Sequence, residues 1–212
     1  MAFSTASNTE RRPIKENKLV QFLILVFLVV WASTFIGTSN FSNWFLENGF
    51  VFIGLSVLIL SYKKFKFSDL SYVLICLYLC LHTYGSKYTY AENPFGYWLK
   101  NILHLERNHY DRIVHFSFGF LMAYPLRDYF KTWFQWPVWV CWVLPIEITL
   151  SFSGMFEIVE WLVADLFFPS QGDAYLGTQG DIWDPQKDMG LAFTGAISIM
   201  LISFLLKKIL KR

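Results

Sequence analysis

The sequence predicts an all-α integral membrane protein, a bundle of about six transmembrane helices with both termini cytoplasmic. Three observations carry that reading. Hydrophobic residues make up 55% of the 212 and charged residues only 16%, against roughly 25% charged in an average soluble domain. The chain holds 22 Phe, 11 Tyr and 9 Trp, more apolar surface than a soluble globule of this length covers with charge. Long apolar runs recur, and the segments between them alternate between rich and poor in Lys and Arg. The same composition excludes disorder. A net charge of +2 implies no general affinity for polyanions, so no nucleic-acid partner is expected.

The first span is expected over residues 19–37. Nineteen helical residues rise about 28 Å, close to the hydrocarbon thickness. Its apolar core is long for a signal peptide and no small-x-small site follows cleanly, so an uncleaved anchor is expected. Further spans are expected at 44–62, with Glu47 and Asn48 near its start, at 70–84 and at 110–126. The stretch 136–168 is too long for one untilted span. It reads as a long helix over 138–168, loosened at Ser151–Gly154, with an aromatic entry at Trp136-Pro137-Val138-Trp139. Two short spans are the alternative. The last span is 189–206. Residues 1–18 read as a mobile cytoplasmic tail and 207–212 as a basic one. No repeat, low-complexity tract or soluble domain interrupts the membrane domain, 19–206.

Orientation follows from charge. With the N-terminus inside, the cytoplasmic segments hold 13 of the 18 basic residues and the outer ones Lys87, Lys100, Arg107, Arg112 and Lys187. Cytoplasmic loops attract Lys and Arg, so this orientation is favoured; seven spans would put the basic C-terminal segment outside. Three cysteines form no disulfide framework. Cys76 and Cys80, at helical spacing, lack further soft ligands and read as small buried hydrophobes, as does Cys141.

The unusual chemistry gathers in the two long outer connections, 85–109 and 169–188, and the adjoining helix ends. All four histidines fall between His82 and His115, among Glu92, Glu106, Asp111, Glu157, Glu160, Asp165, Asp173, Asp181, Asp184 and Asp188. Ionisable side chains beside membrane spans are costly, so such a gathering points to a site. Asp111 and His115, four apart, share a helix face and could grip a divalent cation or form an acid/base pair; a simple helix start is the alternative. Gly119, four further on, leaves that face open to a close neighbour. Glu157 and Glu160 share a face of an apolar helix and need a metal, a cation, a base or a proton; pairing with Arg112 or Lys187 is the alternative. Asp181, Asp184 and Asp188 form one stripe if their helix starts early. If Asp184 caps the helix ahead of Pro185, Asp181 belongs to the loop. Gly177 and Gly180 permit a tight turn there.

Oxygen ligands with an imidazole suit magnesium, manganese, calcium or zinc. The candidate metal ligands are therefore Asp111, His115, Glu157, Glu160, Asp181 and Asp184, with His82 or Asp188 as a catalytic base. Tyr88, Glu92, Arg107, Arg112, Gln179 and Trp183 are the candidates for contact with a lipid or small-molecule ligand. Tyr88, Tyr90, Trp161 and Trp183 could line a wall above the site, although aromatics at this depth more often form an interfacial belt.

The segments His82–Gly85, Tyr88–Glu92, Arg107–Phe116, Glu157–Trp161 and Gly177–Asp184 with Asp188-Met189 together resemble the YjdF family of bacterial inner-membrane proteins, over roughly residues 20–206. The resemblance implies a multi-pass inner-membrane location and candidate positions, but no reaction. Where family members often carry a histidine this chain has Lys87, which speaks against a ligand role there. A looser likeness to VanZ-type membrane proteins lies in Asp111 to His115, Glu157 to Glu160 and Asp184 to Asp188. Three functional readings stand together: a site for an ion, lipid headgroup or small ligand; a metal-assisted hydrolase or transferase acting on a lipid-linked or envelope substrate; and a polar network that only holds the bundle.

Overall fold

The computed structural model describes residues 11–38, 40–167 and 176–209; Asp173 and parts of both predicted tails lie outside them. The described residues are helical with no strand: α1 (Lys18–Phe35), α2 (Phe41–Ser61), α3 (Asp69–Ser86), α4 (Pro94–Leu103), α5 (Tyr110–Tyr129), α6 (Val138–Phe167) and α7 (Asp184–Ile209). A π-helical turn, Phe130–Phe134, follows α5. Four helices, α1, α2, α6 and α7, are long and apolar enough to cross a membrane. Helices α3 and α5 have similar lengths but carry His82, Asp111, Arg112 and His115.

Local chemistry sets the boundaries. Asn17, Asn40 and Ser68 cap α1, α2 and α3 by accepting a backbone N–H from the first turn, satisfying a donor that the helix leaves open. Helix α4 falls where the sequence predicts only a connection. Its signals are a capping Asn93 and Pro94 in the first turn. The loosening expected at Ser151–Gly154 is absent, and Ser153 and Gly154 serve tertiary contacts instead. Ser153 meets His115, and Gly154 leaves room for Met189, whose methyl would lie 3.2 Å from an added Cβ. Helix α6 is therefore one unbroken helix of 30 residues, about 45 Å long, which exceeds a hydrocarbon core of roughly 30 Å.

Helix α5 is the hub. It packs most extensively against α7 and also against α3 and α6, while α1 and α2 flank α3. The α5–α7 contact is backbone on backbone. A Cβ on Gly119 would collide with the Ala192 carbonyl, and one on Gly195 with the Phe116 carbonyl. Ala123, Ala192 and Ala196 are fully buried at the same seam. Small residues let membrane helices approach this closely, which maximises dispersion contact where no hydrophobic driving force separates helix from lipid. A second cluster joins Phe27, Val51 and Cys76 across α1, α2 and α3.

Residues 11–17 do not hang free as a mobile tail would. Arg11 binds the carbonyl of Lys66 and reaches Asp128 at 2.5 Å. The Ile14 amide donates to the Tyr62 hydroxyl, and Asn17 donates to Asp69. Asp128 also accepts from the Ser68 amide and the Ser71 hydroxyl. This polar knot sits at the end of the bundle opposite the histidine-rich segments.

Candidate functional site

Alternation of helix direction brings the starts of α2, α5 and α7 and the ends of α3 and α6 to one end of the bundle. There Asp111 and His115 lie one turn apart on α5, Glu157 and Glu160 on α6, and Asp184 and Asp188 on α7. His115 Nε2 is 3.6 Å from Asp111 Oδ1 and 3.3 Å from Glu157 Oε1, and its Nδ1 is 3.3 Å from the Ser153 hydroxyl. Asp111, His115 and Asp188 each offer one ligand atom, all within 4.8 Å of one another. Asp188 Oδ1 and Glu157 Oε1 are buried with no hydrogen-bond partner. A buried carboxylate oxygen is costly unless a proton, water or ion satisfies it.

A second polar group stands beside the first. Arg107 donates to both oxygens of Asp184, at 2.5 and 2.8 Å. Arg112 donates to Asp184 Oδ1 at 2.9 Å and to Asp181 Oδ2 at 2.5 Å. Lys187 Nζ donates to Asp181 Oδ2 at 2.6 Å. Gln179 closes the group by exchanging two hydrogen bonds with the Asn108 backbone. Asp181 lies in the loop and its Oδ1 accepts the Trp183 amide. The Lys187 and Arg112 partners hold its carboxyl well below the usual carboxylate range. Gly177, Gln179 and Gly180 all take positive φ, giving the tight turn that brings Asp181 back under Arg112. Five charges therefore tie the start of α5 to the start of α7, chiefly by bidentate and charge-assisted hydrogen bonds.

Deeper in, Tyr90 takes a left-handed backbone conformation that lays its ring on Gly85, where a Cβ would strike it. Its hydroxyl sits 2.7 Å from His82 Nδ1, and His82 Nε2 lies 3.1 Å from the Glu47 carbonyl. The carbonyl can only accept, so Nε2 carries a proton, and the Tyr90 hydroxyl also lies 3.1 Å from the His82 carbonyl, which accepts from it. Both ring nitrogens are engaged. Burial among acids also pushes the Tyr90 phenol above its ordinary range. Asn43, Glu47, Tyr90, Asp111, Glu160 and Gly177 are among the residues lining a small polar cavity here.

The structure thus divides the candidate residues. Asp111, His115 and Asp188 converge, with Glu157 against the ring and Glu160 in the adjoining cavity. Asp181, Asp184, Arg107, Arg112 and Gln179 belong to the charged clamp. His82 is locked between Tyr90 and Glu47 and has no free nitrogen for a base. Glu92 is exposed and accepts from the Tyr97 hydroxyl, and Trp183 is exposed. Tyr88 packs on Tyr84. Lys87 reaches the Ser33 carbonyl on α1, away from the cluster. Sequence reasoning leaves Asn43, Glu47 and Ser153 outside the site. The available signal was the four-residue spacing of Asn43 and Glu47, which puts both on one face of an apolar helix.

Fold and cluster together define a helical membrane protein with a buried histidine–carboxylate centre at one end of its bundle. The chain belongs to the family described as "Predicted membrane protein (DUF2238)", which it matches over residues 19–208. It is similar to the inner membrane protein YjdF of Escherichia coli (strain K12), with 32% identity over 185 residues, covering 84% of this chain and 85% of the relative. No solved structure matches it.

Proposed function

We propose that this protein is a multi-pass protein of the bacterial inner membrane whose outward end binds a divalent cation through Asp111, His115 and Asp188, with Glu157 beside them. The six spans are α1, α2, α3, α5, α6 and α7, with both termini cytoplasmic. The 13-to-5 division of basic residues supports that orientation. Helix α4, with Phe95, Trp98, Ile102 and Leu103 exposed, lies in the outer interface as an amphipathic segment.

The observation that carries the cation reading is the convergence of three ligand atoms within 4.8 Å, with Asp188 itself and the neighbouring Glu157 each holding a buried oxygen that has no hydrogen-bond partner. Charge counting supports it. Glu47, Asp111, Glu157, Glu160 and Asp188 surround the centre, whereas Arg107, Arg112 and Lys187 are already engaged by Asp181 and Asp184, and both His82 nitrogens are taken up by Tyr90 and the Glu47 carbonyl. Carboxylates so placed need a cation or protons. One imidazole with hard oxygens suits manganese or zinc better than calcium, which prefers oxygen alone. Once bound, such an ion supplies a Lewis-acid centre at the outer face.

The test is metal content after purification in mild detergent, followed by thermal unfolding with chelator and then with added magnesium, manganese, calcium or zinc. Metal should co-purify with the wild type and fall in His115→Ala. The preferred ion should stabilise the metal-free protein by about 2.7 kcal/mol at a hundredfold excess over Kd. A metal-free wild type whose midpoint is indifferent to every ion overturns the reading.

A further inference from the structure

Helix α6 turns a carboxyl away from the bundle. Its buried stripe, Cys141, Pro145, Thr149 and Ser153, runs along the side packed on α5 and α7. Glu147 stands two residues from both Pro145 and Thr149, about 200° around the helix, and is exposed. Val143, Ser151 and Met155 continue that outer face at four-residue spacing and are exposed as well.

Two contacts set the depth of Glu147. Below it in the chain, Trp142 holds the Arg127 guanidinium over its ring at 3.8 Å. Beyond it, Ser153 meets His115. Arg127 lies in the last turn of α5 and His115 in its outer half. Glu147 is thus about 7.5 Å along α6 from one level and about 9 Å from the other, inside the apolar layer that α6 is long enough to cross. Among the described residues, none makes a hydrogen bond or ion pair to the Glu147 carboxyl or the Ser151 hydroxyl. Elsewhere in the bundle Ser56, Thr149, Thr194 and Ser198 each donate to a carbonyl one turn back in their own helix, which satisfies the hydroxyl locally. A carboxyl within a membrane span is costly and ordinarily faces the bundle interior or a polar partner. Acyl chains offer it neither donor nor acceptor.

We propose that this face of α6 is the interface with a second copy of this chain. The case for a copy is self-complementarity. Each chain presents one acceptor, the Glu147 carboxyl, and one donor, the Ser151 hydroxyl, a single turn apart. Across a two-fold axis along the membrane normal, Ser151 of one copy donates to Glu147 of the partner subunit, and the symmetry that makes one such bond makes both. The long glutamate side chain covers the axial offset of about 6 Å between the two positions. Val143 and Met155 then pack above and below the polar pair. Hydrogen bonds between helices hold membrane proteins together where no hydrophobic force separates helix from lipid. The pairing does not depend on the cation reading, because none of its residues belongs to the histidine–carboxylate centre.

Disulfide trapping in native membranes tests it, in a background lacking Cys76, Cys80 and Cys141. Val143→Cys and Met155→Cys leave the polar pair in place, and each should give a cross-linked dimer on oxidation. Leu25→Cys, on the exposed side of α1, should not. Adding Glu147→Leu should cut the Met155→Cys dimer by about tenfold, whereas Glu147→Gln, which keeps a donor and an acceptor, should retain it. Ser151→Ala repeats the loss from the other half of the pair should Glu147→Leu fail to accumulate. Trapping that is as strong at Leu25→Cys, or that survives both Glu147→Leu and Ser151→Ala, overturns the proposal. So does a Met155→Cys chain that stays monomeric or is captured only by a different membrane protein.

Discussion

Arg107 grips Asp184 with both terminal nitrogens, Nη1 on Oδ1 at 2.5 Å and Nη2 on Oδ2 at 2.8 Å, and both side chains are almost fully buried. Removing one member of such a pair strands the other charge. Arg107→Ala should cost about 3–5 kcal/mol, read as a lowered midpoint in detergent, and adding Asp184→Asn should recover part of it. Arg107→Lys should not restore the wild-type value, because an ammonium cannot engage both oxygens with a planar fork. A loss within about 0.5 kcal/mol, typical of idle surface positions, would show that the pair carries no load.

Asp181 sets an acid limit on the same clamp. Lys187 first, then Arg112 and the Trp183 amide, depress its folded-state pKa below the ordinary 3.8. A depressed carboxyl stabilises the fold fully above its unfolded pKa, and this contribution is lost as pH falls below 3.8 toward the folded value. Asp181→Asn should therefore lower the midpoint at pH 6, and the gap to wild type should narrow as pH is taken from 5 toward 3. A gap independent of pH across that range would remove the electrostatic explanation.

Helix α7 offers a matched pair of glycines. Gly195 faces the Phe116 carbonyl so closely that a Cβ cannot fit, whereas Gly190 has nothing within 4 Å of a Cβ. Gly195→Ala should destabilise by about 1–3 kcal/mol through forced separation of α5 and α7. Gly190→Ala should be neutral or gain up to about 1 kcal/mol from reduced backbone entropy. Thermal midpoints of the two variants in one detergent make the comparison, and equal shifts would count against the close seam.

Orientation can be read with an impermeant maleimide on intact cells, in a background lacking Cys76, Cys80 and Cys141. Ile182 and Lys64 are both exposed and fall on opposite sides in the proposed topology. Ile182→Cys should label and Lys64→Cys should not. The reverse pattern inverts the assignment.

Much of this was legible in the sequence because burial in lipid demands long apolar runs, and α1, α2 and α7 announce themselves that way. Helix α4 was less legible, although Asn93-Pro94 and the spacing of Phe95, Trp98 and Ile102 are its signals, because ten residues in a polar connection carry little weight. The α5 face with Asp111 and His115 could be read from spacing alone. Its partners could not. Which carboxylates meet His115 and which meet arginine depends on helix rotation, and rotation is set by the Gly119 and Gly195 seam, one to two turns along the helices from the charges. Asp184 and Asp188 are one turn apart, yet Asp184 binds arginine while Asp188 joins the histidine.

The clamp also has a timetable. Arg107 and Asp184 are separated by 77 positions in the chain, and ribosomes add about 5–20 residues each second. For some 4–15 seconds, by that rate, Arg107 and Arg112 have been made while their carboxylates have not. During that interval α5 stands at the membrane with its positive charges uncompensated and its glycine seam uncovered. Arrival of α7 ends both exposures at once and also delivers Asp188 to His115. Completion of the bundle and birth of the histidine–carboxylate centre are thus one event in biosynthesis, and a nascent chain stalled in α6 would present quality-control proteases with bare arginines and an open helix face.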